Sequence, residues 1–279
     1  MNLYYECSDG TRFDLIDGDI SCEKPETLLK RAWKYKTVSC INSFTKIKKF
    51  YKEAVELPLT ISIMCDTEGQ FNALMDKLLN CFEKDIATKT PGKIYWNDYY
   101  KEVFVFASEP SEFEEYFAAV DQKLTLLSLY DYWIKENSFN YSSGNKVEFL
   151  QNADFPYEFG DFDYMPTDII DVINIDGSSS VNFNLTFWGA CANPYVTIGG
   201  NEYRINNIEL ADGEYITVSS KARTVTKHNI DGSTENIFHL RDSNKIFTPL
   251  PPGKSIINRK SETQLSITTY TEKGEPVWI

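Results

Sequence analysis

Two histidines, six cysteines and forty-one carboxylates are the groups in this sequence that could carry chemistry. Both histidines fall in one stretch, "EYITVSSKARTVTKHNIDGSTENIFHL", residues 214 to 240. A histidine can act as a general base near neutral pH, but only with a nucleophile or a substrate proton within reach. No Ser or Cys in a recognisable motif flanks His228 or His239, so surface or satisfied histidines are the expectation. The cysteines are Cys7, Cys22, Cys40, Cys65, Cys81 and Cys191. No two of them show the two-residue spacing of a zinc or redox pair. The sequence also lacks a glycine-rich phosphate loop, a serine elbow and a His-Glu-x-x-His pair. Carboxylates are numerous enough to supply a glycosidase pair, yet no two of them are singled out by context. No catalytic, cofactor-binding or metal-binding residue is therefore assigned.

The acidic residues are unevenly spread. Between Lys146 and Arg204 there is no Lys or Arg, and Glu148, Asp154, Glu158, Asp161, Asp163, Asp168, Asp171, Asp176 and Glu202 fill the gap. A calcium loop needs alternating oxygen ligands, a central Gly and a closing Glu. "DFDY" at Asp161 has none of that order, so a solvated acidic connector is expected. The first fifty residues lean the other way, with nine Lys or Arg against seven Asp or Glu. Glu102 to Glu115 is an acidic stretch in the same half. Opposite charge on two patches suits a head-to-tail contact between copies. The whole chain of 279 residues carries a formal charge of −13, so its general field does not favour the nucleic-acid backbone.

The elements that must position these groups can be read from periodicity. Phe71, Leu74, Met75, Leu78, Leu79, Phe82 and Ile86 recur at spacings of three and four, which predicts one amphipathic helix with this stripe in the core. Thr67-Glu-Gly-Gln70 supplies a capping box at its start, and Lys89-Thr-Pro-Gly92 stops it. Strands are expected around it, at Leu57–Met64, Gly92–Trp96, Glu102–Ala107 and Gln122–Leu129. A second short helix is possible near Glu112 to Tyr116. Ser39 to Glu56, with Lys46, Lys48, Lys49 and Lys52, reads as a basic loop or hairpin on a solvated face or at an interface. Strands, one long helix, then more strands predict an α+β domain with a largely antiparallel sheet.

Residues 138 to 176 show no clear period and read as an aromatic, acidic connector. From Ser178 onward Val181, Phe183, Leu185 and Phe187 alternate, and Gly199-Gly200, Asp212-Gly213, Asp231-Gly232 and Pro251-Pro-Gly253 punctuate further short strands. That pattern predicts an all-β sandwich or barrel. Asp231-Gly232 tolerates the positive φ of a hairpin turn. Val225 shares a strand face with Arg223 and Lys227, and Thr224, Thr226 and His228 share the other, as in a sheet edge. The division is therefore into 1–137 and 138–279. The amino terminus has no signal-peptide pattern, and no apolar run approaches a membrane span. A reducing cytosol with free, buried thiols is the expectation that follows.

The order of these pieces resembles the distal tail protein family of long, non-contractile-tailed bacteriophages. In the first half the matching parts are "TRFDL", "TEGQFNALMDKLLNCFEKDI" and "PGKIYW". In the second they are "FWGACANPYVTIGGNEYRI", "GEYITVSSKARTV", the Asp-Gly hairpin, "FTPLPPGKSII" and a final "EPVWI"; "DFPYEFGDFDY" is similar to the family's connecting segment. The resemblance covers most of the chain. It implies an amino-terminal ring-forming (belt) domain, a carboxy-terminal galectin-like sandwich facing outward, and a hexameric ring that joins the tail tube to the adsorption apparatus and lets DNA pass. The implied partners are further copies of the chain, the tail tube protein, the tape-measure protein, and a tail-tip hub, tail-associated lysin or receptor-binding protein. Specific nucleic-acid binding and membrane insertion are not implied, nor any cofactor or catalytic residue. The implied place is the virion tail, assembled in the host cytoplasm. Two other readings stand beside it: a carbohydrate-binding module, for which Trp188 and Trp278 are the candidate aromatic platforms although both sit in strand patterns that favour core packing, and a glycan-cleaving enzyme.

Overall fold

The computed structural model describes every residue except 31, 40–44, 112–117, 143–167, 261–262 and 278–279, with the Asp168 side chain also set aside. Two compact units result: Met1–Lys135 with Glu272–Ile279, and Glu136–Thr271. The strands of the first are β1 (Leu3–Glu6), β2 (Arg12–Asp14), β3 (Ile20–Cys22), β4 (Lys34–Ser39), β5 (Thr45–Tyr51), β6 (Val55–Met64), β7 (Gly92–Trp96), β8 (Tyr99–Pro110) and β9 (Ala119–Ser128), with helix α1 (Glu68–Thr88) between β6 and β7. Strand β10 (Trp133–Tyr141) begins in the first unit and ends in the second. The second unit holds β11 (Asp168–Ile175), β12 (Asn182–Trp188), β13 (Cys191–Ala192), β14 (Tyr195–Ile198), β15 (Asn201–Arg204), β16 (Glu209–Leu210), β17 (Tyr215–Ser219), β18 (Thr224–His228), β19 (Thr234–Asn236) and β20 (Gly253–Lys260), and β21 (Gln264–Lys273) returns to the first.

In the first unit the strands pair antiparallel in the order β2-β1-β7-β8-β9-β6-β3. Strand β8 serves three partners: Tyr99 to Val103 pairs with β7, Phe104 to Pro110 with β9, and Tyr100 with Ile134 of β10. Period-2 burial follows from the pleat. Leu57, Leu59, Ile61 and Ile63 of β6 point inward, and so do Leu124 and Leu126 of β9. Helix α1 covers this layer. Thr67 caps it, its Oγ1 accepting from the Gln70 amide at 3.3 Å. Lys89, at φ 55°, turns the chain out, its amide donating to the Asp85 and Ile86 carbonyls.

The helical stripe is narrower than periodicity alone predicts. Phe71, Leu78 and Phe82 are buried, whereas Leu79 and Ile86 are exposed. Cys81 and Asp85 take the inward positions instead. The inward line runs through 71, 78, 81–82 and 85, and each exposed residue follows a buried one by about 100° around the axis.

The second unit is a sandwich. One sheet has the order β19-β18-β17-β12-β21, the other β11-β20-β14-β15, with β13 and β16 forming a small pair. Phe183, Leu185 and Phe187 of β12, Ile216 and Val218 of β17, and Val196, Ile198 and Tyr203 of β14 and β15 meet in one core. The Phe183 and Tyr203 rings touch edge to face, with centroids 5.3 Å apart. The expected architecture is found: an antiparallel α+β unit and an all-β sandwich. Two local expectations are corrected: Ser138 to Tyr141 and Asp168 to Ile175 are strands, not irregular connector. Phe238–Leu240 forms a single 3-10 turn. The possible helix near Glu112 to Tyr116 lies outside the described residues.

The expectation of free thiols fails for one pair. Cys7, just after β1, and Cys81, on α1, form a disulfide with a Cα–Cα distance of 6.1 Å. Seventy-four positions separate them, so no local motif announces the pairing. Cys22 and Cys65 are free thiols, Cys191 is buried with its Sγ toward the Trp188 carbonyl, and Cys40 lies outside the described residues.

Candidate assembly interface

Among the described residues, three of the groups first suspected of chemistry converge, Cys7, Cys81 and Asp85, whose ligand atoms lie within 4.8 Å of one another, and neither histidine is among them. His228 ends β18 and stacks on Tyr215, centroids 4.3 Å apart and nearly parallel. His239 is exposed in the 3-10 turn. Gly232, at φ 81°, makes the expected turn between β18 and β19, and β19 is the sheet edge. Trp188 is not in the core. It lies on the outer face of β12, beside Tyr215 on β17, and its Nε1 donates to Ser266 Oγ at 3.0 Å. Trp188, Tyr215 and His228 stand side by side across three strands, each ring turned toward its neighbour rather than laid flat to solvent. Trp278 and the acidic residues Glu148, Asp154, Glu158, Asp161 and Asp163 lie outside the described residues. Asp171 is paired with Arg259 at 3.1 Å, and Glu202 with Arg204.

What stands apart is the hairpin of β4 and β5. Every residue of both strands is exposed except Tyr51, which is half-buried. Register places Tyr35 opposite Phe50 and Thr37 opposite Ile47 on one face. The Tyr35 and Phe50 rings touch edge to face at 6.5 Å. Lys34 opposite Tyr51, Lys36 opposite Lys49, and Val38 opposite Lys46 form the other face. There the Lys36 and Lys49 ammonium groups lie 5.6 and 5.3 Å from the Tyr51 ring. Tyr35, Ile47 and Phe50 are 64%, 57% and 57% exposed. Lys34, Lys36, Lys46, Lys48 and Lys49 share the hairpin with no carboxylate, in a chain of net charge −13. A two-stranded hairpin is marginal alone, and a cluster of exposed large apolar side chains marks a contact surface.

The root of this hairpin is built as firmly as its body is bare. Lys52 follows β5 and leaves solvent. Its Nζ donates to Asp131 Oδ2 at 3.0 Å and to the Asp131 carbonyl. The Trp33 and Tyr132 rings lie 5.5 and 4.5 Å from that ammonium. Lys101 of β8 meets the other carboxylate oxygen at 2.6 Å and sits 5.1 Å from the Trp133 ring. The side chains of Lys52, Asp131 and Lys101 are 2%, 3% and 0% exposed. One carboxylate thus holds two buried ammonium groups. Burial pulls the Lys101 pKa below its usual value, against the opposite pull of Asp131. Lys52 was expected on a solvated face with the other lysines; the Asp131 carboxylate and two aromatic rings take it inward instead. The signal that could have separated it is position: it follows the last paired hairpin residue, Tyr51, and leaves the two-face alternation.

No family model matches the chain, and no curated protein does. Solved structures match over nearly all of it. The SPP1 Dit protein (gp 19.1), described as a paradigm of the hub adsorption apparatus in phages infecting Gram-positive bacteria, superposes with a TM-score of 0.56 at 10% identity, covering 98% of each chain. A chain of the phage P2 baseplate, in its activated conformation with Ca, gives 0.61 at 12% identity over 99% of this chain and 100% of that one. The same baseplate with Sr gives 0.61 at 11%, over 99% of each. Nearly the whole chain therefore shares its fold with the SPP1 Dit protein and with a chain of the phage P2 baseplate.

Proposed function

We propose that this chain, folded as the SPP1 hub protein is folded, is a structural component of a phage tail: a ring-forming subunit that joins the tail tube to the adsorption apparatus. The observation that carries the reading is the β4–β5 hairpin. Its apolar face has no cover among the described residues, and its five lysines stand in a chain that is otherwise strongly acidic. A second copy supplies both an acidic surface and apolar area, so the hairpin of one copy fits against the body of the next. Such a head-to-tail contact closes into a ring when its rotation permits. Six copies and a DNA-wide opening are what the family resemblance adds, and an acidic subunit suits a passage that must not grip phosphate. The role is structural rather than catalytic, and the virion tail is the place, with the tube, tape-measure and tip proteins as neighbours.

The test compares the full chain with a Tyr35→Ser, Ile47→Ser, Phe50→Ser variant by light scattering across concentration and salt, with electron micrographs of large species. The full chain forms closed rings, alone or on tube ends, and high salt favours smaller species because part of the contact is charge. The variant keeps its melting temperature, since these side chains lie outside the core, and stays monomeric. A full chain that is monomeric in every condition and never caps a tube would overturn the proposal.

A further inference from the structure

The corner where β1 meets α1 is tied more heavily than packing requires. Cys7 is bonded to Cys81, and both are buried. One helical turn beyond Cys81, Asp85 is fully buried, its Oδ2 accepting from the Tyr5 hydroxyl at 2.7 Å and its Oδ1 from the Ser8 amide at 2.9 Å. Tyr5 and Ser8 bracket Cys7. On the surface, Lys84 pairs with Asp9 at 3.0 Å. Gly92 backs the corner: a Cβ there would stand 2.2 Å from the Tyr5 hydroxyl and 2.7 Å from Asp85 Oδ2. Strand β1 lies between β2 and β7, so whatever holds β1 to the helix also holds the end of the sheet.

We propose that Cys7 and Cys81 form a redox-gated clamp: in a thiol-reducing compartment the corner is held without a covalent bond, by the polar ties of Asp85 and Lys84 and by packing of Tyr5 on Phe82, and oxidation then locks β1 to α1 covalently. The chemistry balances with a disulfide oxidant such as oxidised glutathione. One thiolate attacks it and expels the first glutathione thiolate. The second cysteine thiolate then attacks the mixed disulfide and expels the second. Two protons leave the cysteines, two electrons pass to glutathione, and the Cys7–Cys81 bond forms. Because both sulfurs are buried, exchange requires this corner to open, so each state persists once formed. A bond closing so long a loop acts chiefly on the unfolded chain, which gains freedom when it is cut. The clamp does not depend on the ring reading.

The full chain, oxidised with glutathione disulfide or reduced with a phosphine, tests this by thermal melting and by counting alkylated cysteines after denaturation. Oxidised protein should show four alkylated cysteines and reduced protein six. Reduction should lower the melting temperature of the first unit by about 10 °C. A Cys7→Ser, Cys81→Ser variant should melt like reduced wild type in either condition, and Cys65→Ser should keep the full shift. Six alkylated cysteines after oxidation, or equal melting temperatures in the two states, would overturn the clamp. So would reduced protein that binds one Zn²⁺ per chain and thereby protects both thiols, since the three ligands Cys7, Cys81 and Asp85 would then be a metal site. These readings need only wild-type protein if the double variant fails to fold.

Discussion

Replacing Asp131 with Asn removes the carboxylate that two buried ammonium groups share at the root of the hairpin while keeping its shape. Asp131 holds Lys101 at 2.6 Å and Lys52 at 3.0 Å, with all three side chains at most 3% exposed. Breaking a buried ion pair by deleting one partner costs about 3–5 kcal/mol, because the remaining charge stays desolvated. Here two ammonium groups lose the same partner, so a simple sum would be larger. Proton loss sets a ceiling. Lys101 can become neutral, and taking a Lys from its usual pKa of 10.5 to neutrality at pH 7 costs about 4.8 kcal/mol. The expected destabilisation at pH 7 is therefore about 4 kcal/mol, and residues that share a partner do not add. With a urea slope near 2 kcal/mol per M, the midpoint of the first unit falls by roughly 2 M. The sign with pH is fixed. A Lys held below its unfolded pKa binds fewer protons folded than unfolded, so stability rises with pH until 10.5 is passed. The loss in Asp131→Asn should shrink to about 2 kcal/mol at pH 9. Urea unfolding of wild type, Asp131→Asn, Lys101→Met and the double variant at both pH values gives the full cycle. A loss below about 1 kcal/mol at pH 7, or one that grows with pH, would refute a desolvated cluster.

Two further perturbations test other parts of the first unit. Leu78→Asp places a carboxylate at a position 1% exposed in the core under α1, and should cost several kcal/mol; an unchanged melting temperature in soluble protein would mean that this face of the helix is not buried. Asp9 accepts from the Thr11 amide and then from Lys84, which together lower its pKa from 3.8 to about 2. A depressed carboxylate stabilises the fold above its unfolded pKa, and the contribution is lost as pH falls through the folded one. Wild type should therefore lose stability between pH 3.8 and about 2 that Asp9→Asn does not lose, measured by acid titration of the melting temperature. Parallel curves for the two proteins in that window would exclude the role.

Local pattern carried much of this molecule. Leu57 to Ile63 and Val181 to Phe187 alternate because a strand has two faces, and that period is visible without any neighbour. The helix from Glu68 to Thr88 announces its start through Thr67 and Gln70, one turn apart, and its stop through the proline and glycine after Thr90. Asp231 and Gly232 make their own turn. The lysines around β5 marked a basic hairpin or loop, so half of the candidate interface was legible as charge. Its apolar half was not: Tyr35, Ile47 and Phe50 look like any strand core until the fold leaves them exposed against the described residues.

The pairings that distinguish this chain were decided only in three dimensions. Lys52 meets Asp131 across 79 positions, and Cys7 meets Cys81 across 74. Trp188 faces outward only because Phe187, its neighbour, takes the core side of β12. Leu79 and Ile86 belong to the helix's apolar stripe by period, yet both are exposed, and Asp85 goes inward instead to meet Tyr5 and Ser8. Hydrogen bonding and strand period act between near neighbours and are written locally. Burial, ion pairing and disulfide geometry depend on which distant segment arrives, and chain topology alone sets that arrival.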